Sequence, residues 1–323
     1  MGDITTTGEV ASGITEFYDR TLIKRALPYL PHALFGQMRP LPSRTADKIK
    51  FRKYNSLSKA LVSLQEGITP PAQQLSITDI EATPEQYGSY VVLSDKVQFA
   101  QPDAVLTETT ELCGENMAET IDTIYREVLN AGTNVYYAGG VATRLLTATN
   151  IVEADVHACV TTLRKAKAKY FTKMIKGESR YNTYPVAESY WGITSPQIAH
   201  DLELLTNFKR VEEYSGHMDI QMNEFGSLGN VRFIWSNEAK WWDGLGAASA
   251  DVGSTLIFGR DAYGLVPIQG QASEVIIKAQ GSGGTSDPLN QRGSVGWIAN
   301  TTAKILTQGF MVRLETLSSQ TWS

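Results

Sequence analysis

The stretch from Pro102 to Ala131 constrains the fold more than any other part of this sequence. Leu106, Cys113, Met117, Ile121, Ile124, Tyr125 and Val128 follow three- and four-residue spacings, while Glu108, Glu111, Glu115, Glu119, Asp122 and Glu127 fall largely elsewhere. That is the signature of a helix with one apolar stripe. Proline is favoured in a first helical turn and glycine suits a left-handed cap, so Pro102 opens the segment and Gly132 closes it. Some 30 residues at 1.5 Å rise make a rod of about 45 Å.

Upstream, between Asp47 and Asp95, the pattern is that of extended chain. Ile49 and Phe51 alternate with Lys48, Lys50 and Arg52, and Leu75 and Ile77 alternate with Ser76 and Thr78, the two-residue period of a strand. A turn region from Gly67 to Pro71 separates the two arms. The first arm carries Lys48, Lys50, Arg52, Lys53 and Lys59 with no acid among them, and the second carries Asp79, Glu81 and Glu85 with no base. Arms of opposite sign can pair with each other or with complementary neighbours. Arms of fifteen to twenty residues reach roughly 50 to 65 Å, whereas a compact chain of this length has a diameter near 50 Å by the size scaling. Two readings follow. Either both arms belong to an ordinary antiparallel sheet, or the hairpin rests on another copy of the chain, because an isolated two-stranded ribbon is marginal in water.

Residues 1–46 read as an arm with a short amphipathic piece around Ile14, Phe17, Tyr18, Leu22 and Ile23 that ends near Pro28 and Pro31. A second helix is expected from Glu153 to Phe171, and a third from the Ser195-Pro196 cap to Leu205. Short strands are expected at Ser189 to Thr194, Val231 to Trp235, Thr255 to Phe258, Ser273 to Ala279, Ser294 to Ala299 and within Thr302 to Glu315. The glycine-rich loop Gly281 to Pro288 is the candidate crossing between lobes.

The chemistry-bearing patterns fail one by one. Gly259 and Gly264 have the glycine spacing of a phosphate loop, but Leu265 and Val266 stand where lysine and Ser/Thr are needed. Gly244 and Gly246 begin a dinucleotide fingerprint that fails at Ser249. The four histidines are scattered, and His157 and Cys159, two apart on a helix, point to different sides. Cys113 and Cys159 are the only cysteines and read as packed thiols. No catalytic, cofactor-binding or metal-ligating residue is assigned. With a net charge of -5 the chain has no general attraction to nucleic acid or anionic lipid. The one basic run, Arg164, Lys165, Lys167, Lys169, Lys173 and Lys176, either complements a helix C-terminus or faces packaged nucleic acid. The aromatic clusters at Tyr181 to Trp191 and Phe233 to Trp242 have few interleaved bases and read as core or subunit contact. No apolar run reaches the length of a membrane span, and the polar start, Met1 to Val10, is read as a tail despite its loose match to a myristoylation pattern.

The order of several segments resembles the major capsid proteins of tailed bacteriophages, in the branch related to the coat protein of the podovirus N-four. The resemblance rests on Gln65 to Pro70, Tyr87 to Asp95, the long helix, Tyr190 to Pro196, Gly229 to Phe233, Phe258 to Gly264 and Asp287 to Trp297, and spans residues 15–318. It implies an α+β Hong Kong 97-type fold. The N-terminal arm would be 1–46, the extended β-hairpin loop 47–95, the peripheral domain 96–184 with its spine helix 102–131, the axial domain 185–285, and 286–323 a return strand of the peripheral domain. The implied function is self-assembly into hexamers and pentamers of an icosahedral head around double-stranded DNA, in the virion after assembly in the host bacterial cytoplasm. Scaffold, decoration and portal proteins are further partners of such coats, and no cofactor is implied. Expected assembly contacts are Phe17, Tyr18, Leu22, Lys48, Lys50, Arg52, Glu66 and Gly67, and the expected DNA-facing residues are the basic run. A nanocompartment shell of the same fold, or an enzyme with a site in the aromatic-rich lobe, are the alternatives.

Overall fold

A computed structural model describes residues 31–42, 47–63, 66–70, 72–96, 105–172, 187–214, 220–270, 272–279, 282 and 287–320. In chain order the strands and main helices are β1 (Gln37–Met38), β2 (Ile49–Tyr54), β3 (Ile77–Ala82), β4 (Glu85–Ser94), α1 (Val105–Asn130), β5 (Val135–Tyr137), α2 (Glu153–Lys165), β6 (Tyr190–Thr194) and α3 (Pro196–Glu203). They continue as β7 (Lys209–Arg210), β8 (Glu224–Leu228), β9 (Val231–Trp235), β10 (Trp241–Trp242), β11 (Val252–Phe258), β12 (Tyr263–Leu265), β13 (Ser273–Lys278), β14 (Arg292–Thr301), β15 (Ala303–Ile305) and β16 (Met311–Thr316).

The long helix forms where the apolar stripe predicts it. Cys113, Met117, Ile121, Tyr125 and Leu129, each four residues after the last, are buried against β14, β15 and β4. Burying side chains of this size removes each from water for roughly 1.5–3 kcal/mol. Thr109 and Thr110 donate their hydroxyls to the carbonyls of Val105 and Leu106 at 2.7 and 2.8 Å, so their polar groups are satisfied inside the helix. Gly132 does follow the helix, but it is not among the glycines with positive φ. A Cβ there would lie 3.0 Å from the end of Met311 and 3.2 Å from the Leu129 carbonyl, so glycine is favoured by close approach and not by a left-handed cap.

The main sheet runs β5-β16-β11-β6-β9-β8-β7, with β10 also paired to β11. Strands β11 and β6 are buried at every position, as befits strands covered on both faces. On one face lies the cluster of Val156, Cys159, Val160 and Leu163 from α2 and Ile198 and Leu202 from α3. The Ser195 hydroxyl accepts from the Ile198 amide at 3.3 Å, with Pro196 in the first turn, the cap expected from sequence.

A three-stranded sheet, β13-β14-β4, lies against α1, and this corrects three expectations. The segment 47–95 is not one hairpin: β2 pairs with β3 only, while β4 pairs along its ten residues with β14. The connection through 281–288 is no crossing between lobes, since the strands it joins, β13 and β14, are antiparallel neighbours. A division at residue 285 therefore cuts through one sheet. The last strand, β16, lies in the main sheet between β5 and β11, because Val312 and Leu314 are buried in the α2 cluster; it is not a strand of the sheet beside the spine helix. The return to that sheet is made earlier, by β14.

Residues 31–42 form a strap across the molecule. The His32 ring Nδ1 and the Asp122 carboxylate of α1 are 2.8 Å apart, the His32 amide donates to the same carboxylate at 3.2 Å, and the Tyr263 hydroxyl donates to the His32 carbonyl at 2.6 Å. Phe35 stacks on Trp191 of β6 at 4.8 Å, and β1 pairs with β12. The strap ties the spine helix to the main sheet.

Candidate assembly surfaces

The hairpin base is built from its own charges. In the β2–β3 register Lys50 faces Glu81 and Arg52 faces Asp79. The Lys50 ammonium is 2.8 Å from Glu81, and the Arg52 Nε is 3.8 Å from Asp79. The hydrogen bond from Lys50, followed by its charge, holds the Glu81 carboxyl below its ordinary range, and the reciprocal interactions raise Lys50. Both pairs are solvated, so their contribution is small. The anchorage is apolar: Phe51 and Ala82 are buried with Leu41 and Val266.

Beyond Tyr54 and Ile77 the strand ladder stops. Asn55 and Ser76 are still joined by backbone and side-chain hydrogen bonds of 3.0 Å, and Gln73 reaches the Ser58 carbonyl at 3.1 Å. Between and past these, Leu57, Leu61, Val62, Ile68 and Leu75 are exposed, Leu61 at 85% and Val62 at 87%. Leu61, Val62, Ile68 and Pro70 line an apolar concavity of about 610 Å³ between the arms. Glu66 and Gly67 form the turn, Gly67 with φ 78°, a backbone conformation that favours glycine. A cluster of large apolar side chains held out on a ribbon is the composition of a contact surface.

The other expected site residues separate. Lys48 is exposed beside the hairpin base. Phe17, Tyr18, Leu22, Lys173 and Lys176 lie outside the described residues. The helix expected to reach Phe171 ends at Lys165, and Lys167 takes φ 60° just beyond it, so the basic run is not one helical stripe. Arg164 donates to the Tyr170 hydroxyl at 2.9 Å and to the Asn230 side chain at 2.6 Å, which commits it to closing this end of α2. Lys165, Lys167 and Lys169 remain exposed.

Tyr181 and Tyr184 of the aromatic-rich lobe lie outside the described residues; the described part of the lobe is taken up by packing and ion pairs. Phe233 is fully buried, and the Arg144 guanidinium lies 3.7 Å above the Trp242 ring while it bridges the buried Glu315 carboxylate at 2.6 and 2.8 Å. Arg232 and Glu224, both with wholly buried side chains, form a two-pronged pair at 2.6 and 2.7 Å, with Arg232 4.6 Å from the Trp191 ring centroid. Sequence reasoning missed both ion pairs, since neither Arg232 in β9 nor Arg144 in the turn after β5 carries a mark of its partner. Burial, reinforced by the charge of Asp155, pushes the Cys159 thiol up to about 12, far from a reactive thiolate. Among the described residues no group of three or more His, Cys, Asp or Glu side chains is placed to hold a metal, and no helix is long and apolar enough to cross a membrane.

The family model for phage capsid protein matches residues 77–254, more than half of the chain. The chain belongs to the phage capsid protein family. The match covers the family as a whole and does not single out the branch related to podovirus N-four. Solved structures agree on the capsid protein's fold. The capsid of Ralstonia phage GP4 superposes with a TM-score of 0.69 at 12% identity, covering 90% of this chain and 88% of that one. The capsid of cyanophage Pam1 gives 0.60 at 14% identity, over 90% and 94%. The SrpI encapsulin of Synechococcus elongatus PCC 7942 gives 0.56 at 10% identity, over 91% of each chain. No curated protein matches the sequence. The fold of this capsid protein is the Hong Kong 97-type coat fold that the sequence resemblance implied.

Proposed function

We propose that this capsid protein is the repeating subunit of an icosahedral phage head, assembling with itself into hexamers and pentamers around double-stranded DNA, and that it acts as a structural protein and not as an enzyme. The observation that carries the reading is the hairpin: its base is pinned to its own chain by Phe51, while among the described residues nothing covers its distal apolar side chains. The covering surface is a neighbouring copy. Each such contact can be modest, because closure of a symmetric shell multiplies weak contacts. In this reading α1 with the β13-β14-β4 sheet forms the peripheral domain, the main sheet with α2 and α3 forms the axial domain, residues 1–46 are the arm, and scaffold and portal proteins are further partners.

Deleting residues 60–72 is expected to leave a folded, soluble subunit that forms no shells under negative-stain electron microscopy. Normal particles from that deletion would sink the assignment. The encapsulin likeness, over 91% of each chain, supports a second reading, a shell around protein cargo. The absorbance ratio of purified particles separates the two: a nucleic-acid spectrum supports the phage head, and a co-purifying enzyme supports the compartment.

A further inference from the structure

Cations from separate segments of the chain converge on one stretch of surface beside the hairpin base. The turn after β11 sets the Arg260 amide 2.9 Å from the Lys169 carbonyl, so two exposed cations stand on hydrogen-bonded backbones. Arg260, Gln37 and Asp261 line a hollow of about 660 Å³ beside Phe35 and Phe171. Gln37 and Asp261 also wall a second hollow of about 220 Å³, whose other walls include Arg39, Arg52 and Lys53. The two hollows therefore adjoin, with cations at both ends.

Little of this charge is neutralised. Arg52 has Asp79 at 3.8 Å, and Asp261 sits on the ridge between the hollows. Lys53 lies 5.4 Å from the Phe310 ring centroid and donates to the Thr307 hydroxyl at 3.1 Å, and Arg39 lies 5.8 Å from the Phe51 ring centroid. Among the described residues, Arg39, Lys53, Lys169 and Arg260 have no carboxylate at ion-pair distance. A local concentration of cations in a chain of net charge -5 sets up a positive potential that draws a polyanion to it. Of the acids on the hairpin of a second copy, Asp79 and Glu81 are already engaged by Arg52 and Lys50.

We propose that this strip, centred on Arg39 and Arg260, binds the phosphate backbone of double-stranded DNA without reading its sequence. The proposal rests on the phage-head reading and deepens it by moving the DNA contact from the Arg164 end of α2 to a patch assembled from four segments. Guanidinium forks suit phosphate oxygens, and contacts of this kind give affinity that falls steeply with salt.

The test is binding of a fluorescein-labelled DNA duplex to the full-length protein across a sodium chloride series, with negative-stain microscopy of each sample. The variants are R39A/R260A, R39K/R260K and R164A/K165A. R39A/R260A is expected to flatten the slope of log affinity against log salt by roughly 1.8, about 0.9 per lost phosphate contact. R39K/R260K is expected to keep most of the slope, and R164A/K165A to change it little, with shells still forming in all three. An unchanged slope in R39A/R260A overturns the proposal, as does a wild-type protein that fails to bind DNA at low salt. Loss of shells with the DNA slope intact assigns the strip to a neighbouring copy and also overturns it. Absence of shells from the wild type counts against the phage-head reading alone, because the titration is read on the subunit.

Discussion

Glu224 and Arg232 show how a single pair can hold a sheet of this kind. Glu224 accepts both prongs of the Arg232 guanidinium and the Gln221 amide at 3.1 Å, with no solvent at either side chain. Removing one partner leaves an uncompensated charge in the interior, which costs about 3–5 kcal/mol, whereas replacing both with apolar groups is often tolerated. Glu224→Ala is therefore expected to lower the urea midpoint by that equivalent, and Glu224→Leu with Arg232→Met to recover most of the loss. A double variant as unstable as the single one would contradict the account. None of this was legible in the sequence, where Arg232 reads as an ordinary strand position and Glu224 falls between the expected elements. The opposite charge of the two arms was legible as same-sign runs, but that Lys50 meets Glu81 and Arg52 meets Asp79 within one chain was only one of two readings.

At the level of elements, Glu127 on α1 joins the spine helix to the segment before β10. Burial raises its carboxyl, but the hydrogen bonds from Lys240 and Arg126, both at 2.7 Å, outweigh it and leave the group below its ordinary range. A depressed carboxyl contributes stability that is present above its unfolded pKa and is lost as the pH falls through the folded one. Acidification through and below the ordinary carboxylate range should thus weaken this joint, and Glu127→Gln should remove that part of the acid dependence in pH-resolved melting. The group is half exposed, so the effect is small.

The β4–β14 pairing offers a sharper test. A Cβ at Gly88 would come 2.7 Å from the Trp297 carbonyl, a backbone atom of the neighbouring strand that cannot turn aside. Gly88→Ala should cost about 1–3 kcal/mol as overpacking does, seen as a lower thermal midpoint. Helices α1 and α3 were readable from period and capping, since those signals are local. The assignment of β4 and β16 was not, because both strands have apolar patterns that fit either sheet, and only Trp297 and Val295 on one side or Val312 and Leu314 on the other decide it.

For the molecule as a whole, the strap from His32 to Leu41 and the helix α1, which packs on both β14 and β11, make the helix-backed sheet and the main sheet depend on each other. Among the described residues, the hairpin meets the rest of its chain only at its base. Leu61→Asp with Val62→Asp should therefore leave the melting temperature of the free subunit within about 2 °C, since surface changes of this kind fall within ±0.5 kcal/mol, while abolishing particles in sedimentation. A large drop in subunit stability would mean that the tip is part of the chain's own core. The sequence made the hairpin conspicuous through its length and charge. It could not give the proposed DNA-binding strip, because Arg39, Arg52, Lys169 and Arg260 become neighbours only after folding.

The naked tip also sets a kinetic problem for any cell that makes this protein. Leu61 and Val62 attract any apolar surface, correct or not, so the hydrophobic effect alone gives no discrimination between ordered growth and clumping. Order then depends on supply: too little free subunit and no closed particle nucleates, too much and collisions outrun the rearrangements that correct a misplaced copy. Such a subunit has a working concentration with a ceiling as well as a floor. Light scattering across a dilution series would show both, as a lag that shortens and then a signal that no longer resolves into discrete particles.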